Sequence, residues 1–311
     1  MLQSRPVDLV VTAIVPIVLL LVLGWTLRHR LLTDQGFWSG LEWTSYYVFM
    51  PALFLSSITG ADLGAVSPVP LIVSLAVPVL VVTGLVVLLR RPLRADGPAL
   101  TSLVQGSIRF NTYIGLVLAA ALNGRDGIAT FALAAALMVP LVNVICVSLL
   151  TVHGDHGANR PRLWRELATN PLVVSCLAAL GLNLLSLSIP GPLGTTVDLL
   201  AEPALVCGTL VAGAAVTLRI DRRDVLHIAV TSVLKLALLP IGVGALASTL
   251  GISGVMLVSV VIITAIPTPP TTYVLASRMG GDTRLMASLI GAQTCLAMLT
   301  LPVIIPLATS F

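Results

Sequence analysis

Apolar residues run through this chain in long blocks, and the polar residues are gathered in the short gaps between them. A bilayer core takes about 20 residues of helix to cross. The blocks that meet this length in the first half are Val7–Leu27, Phe37–Ile58, Val69–Leu89, Pro98–Leu122 and Gly127–Leu150. Those in the second half are Pro171–Leu187, Thr195–Leu218, Leu226–Leu250, Gly254–Ala276 and Arg284–Ala308. The pattern predicts ten transmembrane helices: residues 1–150 as one set of five, a polar connection at 151–169, and residues 170–311 as the second five. The first block is too long for the apolar core of a signal peptide and no small-residue cleavage site follows it, so it reads as a span.

Composition agrees. Of 311 residues 57% are hydrophobic and 10% charged, against roughly 25% charged in a soluble domain. Lipid must therefore be the main solvent. The net charge of +4 is a matter of topology, with no nucleic-acid footprint. On one side of the predicted spans lie Arg28, Arg30, Arg90, Arg91, Arg94, Arg160, Arg162, Arg165, Arg219, Arg222, Arg223, Arg278 and Arg284; on the other lie Arg5 and Arg125. Arginine accumulates on the cytoplasmic side. That orients a multi-pass protein of the cell inner membrane with both termini outside and the 151–169 loop in the cytoplasm.

The halves echo each other. Met50-Pro51-Ala52-Leu53 is matched by Glu202-Pro203-Ala204-Leu205. Asn111-Thr112-Tyr113 and Gly124-Arg125-Asp126 are matched by Thr271-Thr272-Tyr273 and Gly280-Gly281-Asp282, and Val139-Pro140 by Leu301-Pro302. The order is kept at offsets of about 152 to 162 residues. A repeat of five spans, an odd number, must enter the membrane upside down. Inverted repeats are the architecture of many secondary transporters, whose binding sites lie at interrupted helices in matching positions.

The fourth and ninth spans carry such interruptions. Pro267-Thr268-Pro269-Pro270 removes three amide donors within four residues and forces the ninth helix open. Freed carbonyls survive at membrane depth only against protein or a watery cavity. In the fourth span, Asn111, Thr112 and Gly115 favour a break, and Arg109 sets a fixed charge about eleven residues in. A central arginine costs roughly 2.5–3.5 kcal/mol on insertion scales, so a carboxylate, a carbonyl cluster or an anionic ligand must meet it. Opposed half-helix N-termini would add partial positive charge at the same depth. Arg109, Asn111, Thr112, Tyr113, Pro267, Thr268, Thr271, Thr272 and Tyr273 are the candidate substrate-binding residues.

Other polar groups fall inside the spans. Lys235 and Glu202 could form a buried pair or a proton relay; Asn143 and Gln293, in the last span of each half, could bridge helices. These four are the candidates for coupling H+ or Na+. Glu42 and Asp198 lie nearer span ends, where an interfacial role is the simpler reading. The four cysteines, Cys146, Cys176, Cys207 and Cys295, read as small buried hydrophobes. The loop His153-Gly154-Asp155-His156 has metal-ligand residue types but no second cluster, so no metal and no cofactor are expected. No phosphate-cradling loop, HExxH or GxSxG is present, which argues against an enzyme or a nucleotide-driven pump.

Taken together, Tyr47-Val48-Phe49-Met50-Pro51-Ala52-Leu53, Arg109 to Gly115, Asn170-Pro171-Leu172, the Pro203 segment, and Ile266-Pro267-Thr268 continuing to Gly281-Asp282 resemble the auxin efflux carrier family, whose bacterial members include malonate and malate carriers. The resemblance implies an all-α membrane protein of two inverted five-helix repeats, akin to bile-acid and sodium/proton carriers. It further implies a scaffold domain and a transport domain, each formed from both repeats. The broken helices 4 and 9 would cross, with Asn111, Pro267 and Thr268 lining the substrate site. Where the family often has Gly-Leu-Pro, this chain has Gly115-Leu116-Val117. The expectation is a carrier of a small organic anion, a mono- or dicarboxylate, working by alternating access, with dimerisation through scaffold helices. The alternatives are a cation/proton exchanger on the same fold, or a membrane-embedded sensor or complex subunit without transport.

Overall fold

Long apolar blocks without polar interruptions can satisfy their backbone in lipid only as helices, and helices are what the chain forms. The computed structural model describes residues 6–60, 68–155, 170–216 and 221–311. These are 84% helical, with no strand among the described residues. Most of the predicted 151–169 connection, with His156, Arg160, Arg162 and Arg165, lies outside the described residues, as do Arg5 and Arg219.

The order is α1 (Pro6–Thr26), α2 (Gln35–Thr44), α3 (Met50–Thr59), α4 (Pro68–Leu88), α5 (Gly97–Ile108), α6 (Thr112–His153) and α7 (Pro171–Leu184). There follow α8 (Gly191–Ala201), α9 (Ala204–Ala214), α10 (Val225–Val233), α11 (Leu239–Thr249), α12 (Gly254–Ala265), α13 (Thr271–Met279) and α14 (Thr283–Ala308). Six helical runs among the described residues are long and apolar enough to cross a membrane: Val10–Leu31, Pro68–Leu88, Gly97–His153, Gly191–Ala214, Arg222–Thr249 and Thr283–Ala308. Pro171–Leu184 and Gly254–Ala265 are apolar but shorter.

Prolines explain where these helices deform. A widened, π-type turn at Ser45–Phe49 joins α2 to α3 just before Pro51, and another at Leu234–Leu238 joins α10 to α11 just before Pro240. In each case the proline supplies no amide to the carbonyl one turn back, and the extra residue absorbs the loss. The run Gly97–His153 bends twice. It is interrupted at Arg109–Asn111, and at Asn123–Gly124 the backbone leaves helical geometry, Gly124 having φ +57 and ψ −139. A Cβ on Gly127 would stand 2.1 Å from the carbonyl oxygen of Ala119. α6 therefore doubles back into a first arm, up to Leu122, and a second arm running to His153.

Lipid tails are as apolar as leucine, so packing rests on close approach of backbones. α1 and α9 meet through Gly24 against the Leu210 carbonyl and Gly213 against the Leu21 carbonyl. α3 packs on α7 and α8, while α12 packs on α6 and α11, and α14 on α1, α5, α11 and α12. At the arginine-bearing end, the two guanidinium nitrogens of Arg284 bond the buried Asp224, tying the start of α14 to the start of α10. Asp221 beside them is held below the usual carboxylate range by its hydrogen bond from Arg223.

Candidate functional site

Two interruptions, far apart in sequence, meet in the middle of the bundle. α5 ends as Arg109 turns extended, at φ −76 and ψ 157; α12 ends the same way at Ile266, φ −74 and ψ 153. The Asn111 amide donates to the Pro267 carbonyl at 2.8 Å, joining the two breaks directly. Thr268 and Gln293 lock them. The Thr268 hydroxyl and the Gln293 amide both donate to the Gly106 carbonyl, at 3.0 and 2.9 Å, and Gln293 accepts from the Thr268 amide at 3.2 Å. Backbone polar groups stranded by the breaks are thus satisfied inside the protein, as burial demands. Gly115 is bare for a steric reason: a Cβ there would lie 2.3 Å from the Phe131 ring and 2.6 Å from Ile266.

From this crossing a cavity of about 790 Å³ opens, within the usual range for a small-molecule site. Its floor is Arg109, Phe110, Asn111, Thr112 and Tyr113 from one break with Pro269, Pro270 and Thr271 from the other. Its walls run along the second arm of α6 through Val139, Asn143 and Val147, and along α13 to Arg278 and Met279. Glu42, Tyr46, Tyr47 and Met50 close one side, with Asn170 and Leu172 beside them. The wall residues converge on Met279, which precedes the turn where the Asp155 amide meets the Gly280 carbonyl. The cavity therefore extends toward the end of the bundle that carries Arg90, Arg91, Arg94, Arg222 and Arg223.

Arg109 dominates its electrostatics. No hydrogen bond or ion pair holds its side chain among the described residues, and one guanidinium nitrogen is buried without a partner. Both half-helices that restart at the crossing point their N-termini at the cavity, where the macrodipole favours an anion. They are not equivalent. Asn111 spends its side-chain oxygen on the Tyr113 and Ile114 amides of α6, at 3.1 and 3.4 Å. The first turn of α13 has no side-chain cap, so its leading amide is the freer donor. Tyr113 leans its ring onto bare Gly208 of α9 and keeps a buried hydroxyl with no partner among the described residues.

Of the residues singled out in the sequence, Arg109, Asn111, Thr112, Tyr113, Thr271 and Asn143 come together at this cavity. Pro267, Thr268 and Gln293 form the crossing beneath it and do not line it. Thr272 is fully buried, its hydroxyl turned back to the Pro269 carbonyl, and Tyr273 points outward, 44% exposed. The sequence match of Thr112-Tyr113 with Thr272-Tyr273 therefore does not carry into space; in the crossing it is Pro267 that faces Asn111. The suggested Lys235–Glu202 pair is also corrected. Glu202 is exposed where α8 gives way to α9. Lys235 is 0% exposed, in the wide turn enclosed by α5, α10, α11, α12 and α14, and its amine has no partner among the described residues.

Glu42, Tyr46, Tyr47, Asn170 and Arg278 belong to the cavity although the sequence alone did not select them. Asn170 and Tyr47 stood within segments that carried the family resemblance. Arg278 stood only in the arginine count, and Glu42 was placed at the membrane interface.

An all-helical bundle of apolar helices, broken at its centre beside a polar cavity, has the form of a membrane transport protein. Residues 158–305 match the family model described as membrane transport protein, that of the auxin efflux carrier family, and the second half of the chain is similar to it. The matched region takes in Asn170, the Pro267–Pro270 break and Gln293. The family is one of transporters rather than enzymes. No curated protein matches the chain.

Proposed function

We propose that this protein is a secondary carrier of a small organic anion, a mono- or dicarboxylate of the malonate, malate or auxin kind, working by alternating access. One observation carries the reading: a guanidinium without a partner among the described residues, at the break of α5, facing a cavity into which two half-helix N-termini point. A structural ion pair would have supplied Arg109 with a carboxylate; none of the described residues does so, which leaves the counter-charge to a solute. Hydrogen bonds would come from the α13 N-terminus, Thr112, Thr271 and Asn143.

The fuller architecture belongs to the same proposal. Ten spans in two inverted repeats are supported by the doubling-back of α6 and by paired landmarks. Asn111 and Pro267 meet at the crossing, and Gly124 and Gly280, both with positive φ, end the broken spans; each pair is 156 positions apart. α1, α2, α3, α7, α8 and α9 would form the scaffold, which could dimerise, and the remaining helices the moving transport domain. With the arginine-rich end in the cytoplasm of an inner-membrane protein and both termini outside, the cavity is open inward.

The test is uptake of radiolabelled malonate, malate and indole-acetate into proteoliposomes. Transport of at least one, reduced tenfold or more in Arg109→Gln, is the expected result. An Arg109→Gln protein that stays folded and transports like the parent would remove the anion role of Arg109.

A further inference from the structure

Glu42 does not fit an anion site as drawn, because an ionised carboxylate would repel the solute that Arg109 attracts. Nonetheless it lines the same cavity, half-buried on α2. Its carboxyl makes no hydrogen bond or ion pair among the described residues. The groups around it do not neutralise it. Tyr46 and Tyr47 follow on the next turn, and Tyr113 of α6 lies within electrostatic reach, its hydroxyl without a partner among the described residues. α9, packed against α2, offers only Cys207. Arg109 and Arg278 stand elsewhere on the cavity wall, in no ion pair with it. Arg28, near the start of α2, is occupied by the Thr33 carbonyl and Gln35.

We infer that Glu42 is the proton-carrying group of this cavity: it takes up a proton from water when an anion binds at Arg109, so that anion and proton occupy the site together. The inference rests on the anion reading above. Its physics is linkage. A negative solute entering a partly desolvated cavity favours the neutral carboxyl, and by reciprocity the protonated carboxyl tightens the anion by the same factor. A protonated Glu42 also gains a donor, which a solute carboxylate can accept. Cargo and proton would then cross as a unit, with Glu42 on the static wall of the cavity and Arg109 on the other.

Calorimetric titration of the full-length protein in nanodiscs decides this, with malonate, malate and indole-acetate each used as the probe. Runs in two buffers of different ionisation heat count the protons exchanged. For an anion that binds, the wild type should take up as much as one proton per anion. Its affinity should fall toward alkaline pH by up to about tenfold per pH unit. Glu42→Gln, a fixed neutral analogue, should bind the same anion with no proton uptake and a flat pH profile, and Glu42→Asp should restore both. Binding to the wild type without proton uptake overturns the inference and leaves the anion site standing; so does a Gln variant that keeps the uptake and slope. An affinity that rises toward alkaline pH equally overturns it. If none of the three anions binds, the anion reading fails and this inference falls with it.

Discussion

Arg109 illustrates how much one side chain can disclose at membrane depth. An arginine kept for structure is bonded on every side, and removing it strands its partners; an arginine kept for a solute is not. Arg109→Gln should therefore leave the melting temperature unchanged or raise it, since it deletes a charge that has no partner among the described residues. Thermal unfolding of the detergent-purified variant checks this, independently of uptake. Asn111 separates in the same way. Its oxygen caps α6, so Asn111→Ala should lose about 1 kcal/mol of stability. Asn111→Asp keeps the cap but adds a negative charge to the cavity floor, and should bind anions at least tenfold more weakly at near-parental stability.

At the scale of elements, the breaks in the fourth and ninth predicted spans were legible because their causes are written in the covalent chemistry. Three prolines in four residues cannot continue a helix, and a fixed charge cannot hide in an apolar block. The meeting of the breaks was not legible from spacing alone; the family resemblance supplied it. Glu42 was missed for a different reason. Between α2 and α3 the widened turn before Pro51 inserts an extra residue, which rotates α2 by roughly 100° relative to a continuous helix. The place of Glu42 near the end of a predicted span suggested an interfacial role, and depth along a span does not give the face that this turn presents. The pairing of Lys235 with Glu202 failed because sequence gives depth in the membrane but not the neighbour at that depth. At the crossing itself, Gln293→Met would leave the buried Thr268 amide without an acceptor while the Gly106 carbonyl keeps the Thr268 hydroxyl. The expected loss is about 1–3 kcal/mol, seen as a lower melting temperature.

For the whole molecule, the proposed inward-open cavity makes a directional claim. Val274 lines it and is 46% exposed. In a background with Cys207 and Cys295 replaced, Val274→Cys should react with a membrane-impermeant maleimide in inside-out vesicles and resist it in right-side-out ones. A bound anion should slow the labelling. Equal reaction from both faces would contradict a cavity closed at its far end.

The bonds at Gly106 have a consequence for failure as well as for function. One carbonyl accepts from two donors, and through them both interrupted helices are stitched to α14. Pulling the stitches apart would expose several polar groups to hydrocarbon at once, so the centre has no cheap half-open form. A damaged copy of this protein should then stall or unravel without becoming a leak, and the membrane's ion gradients would outlast the loss of its traffic.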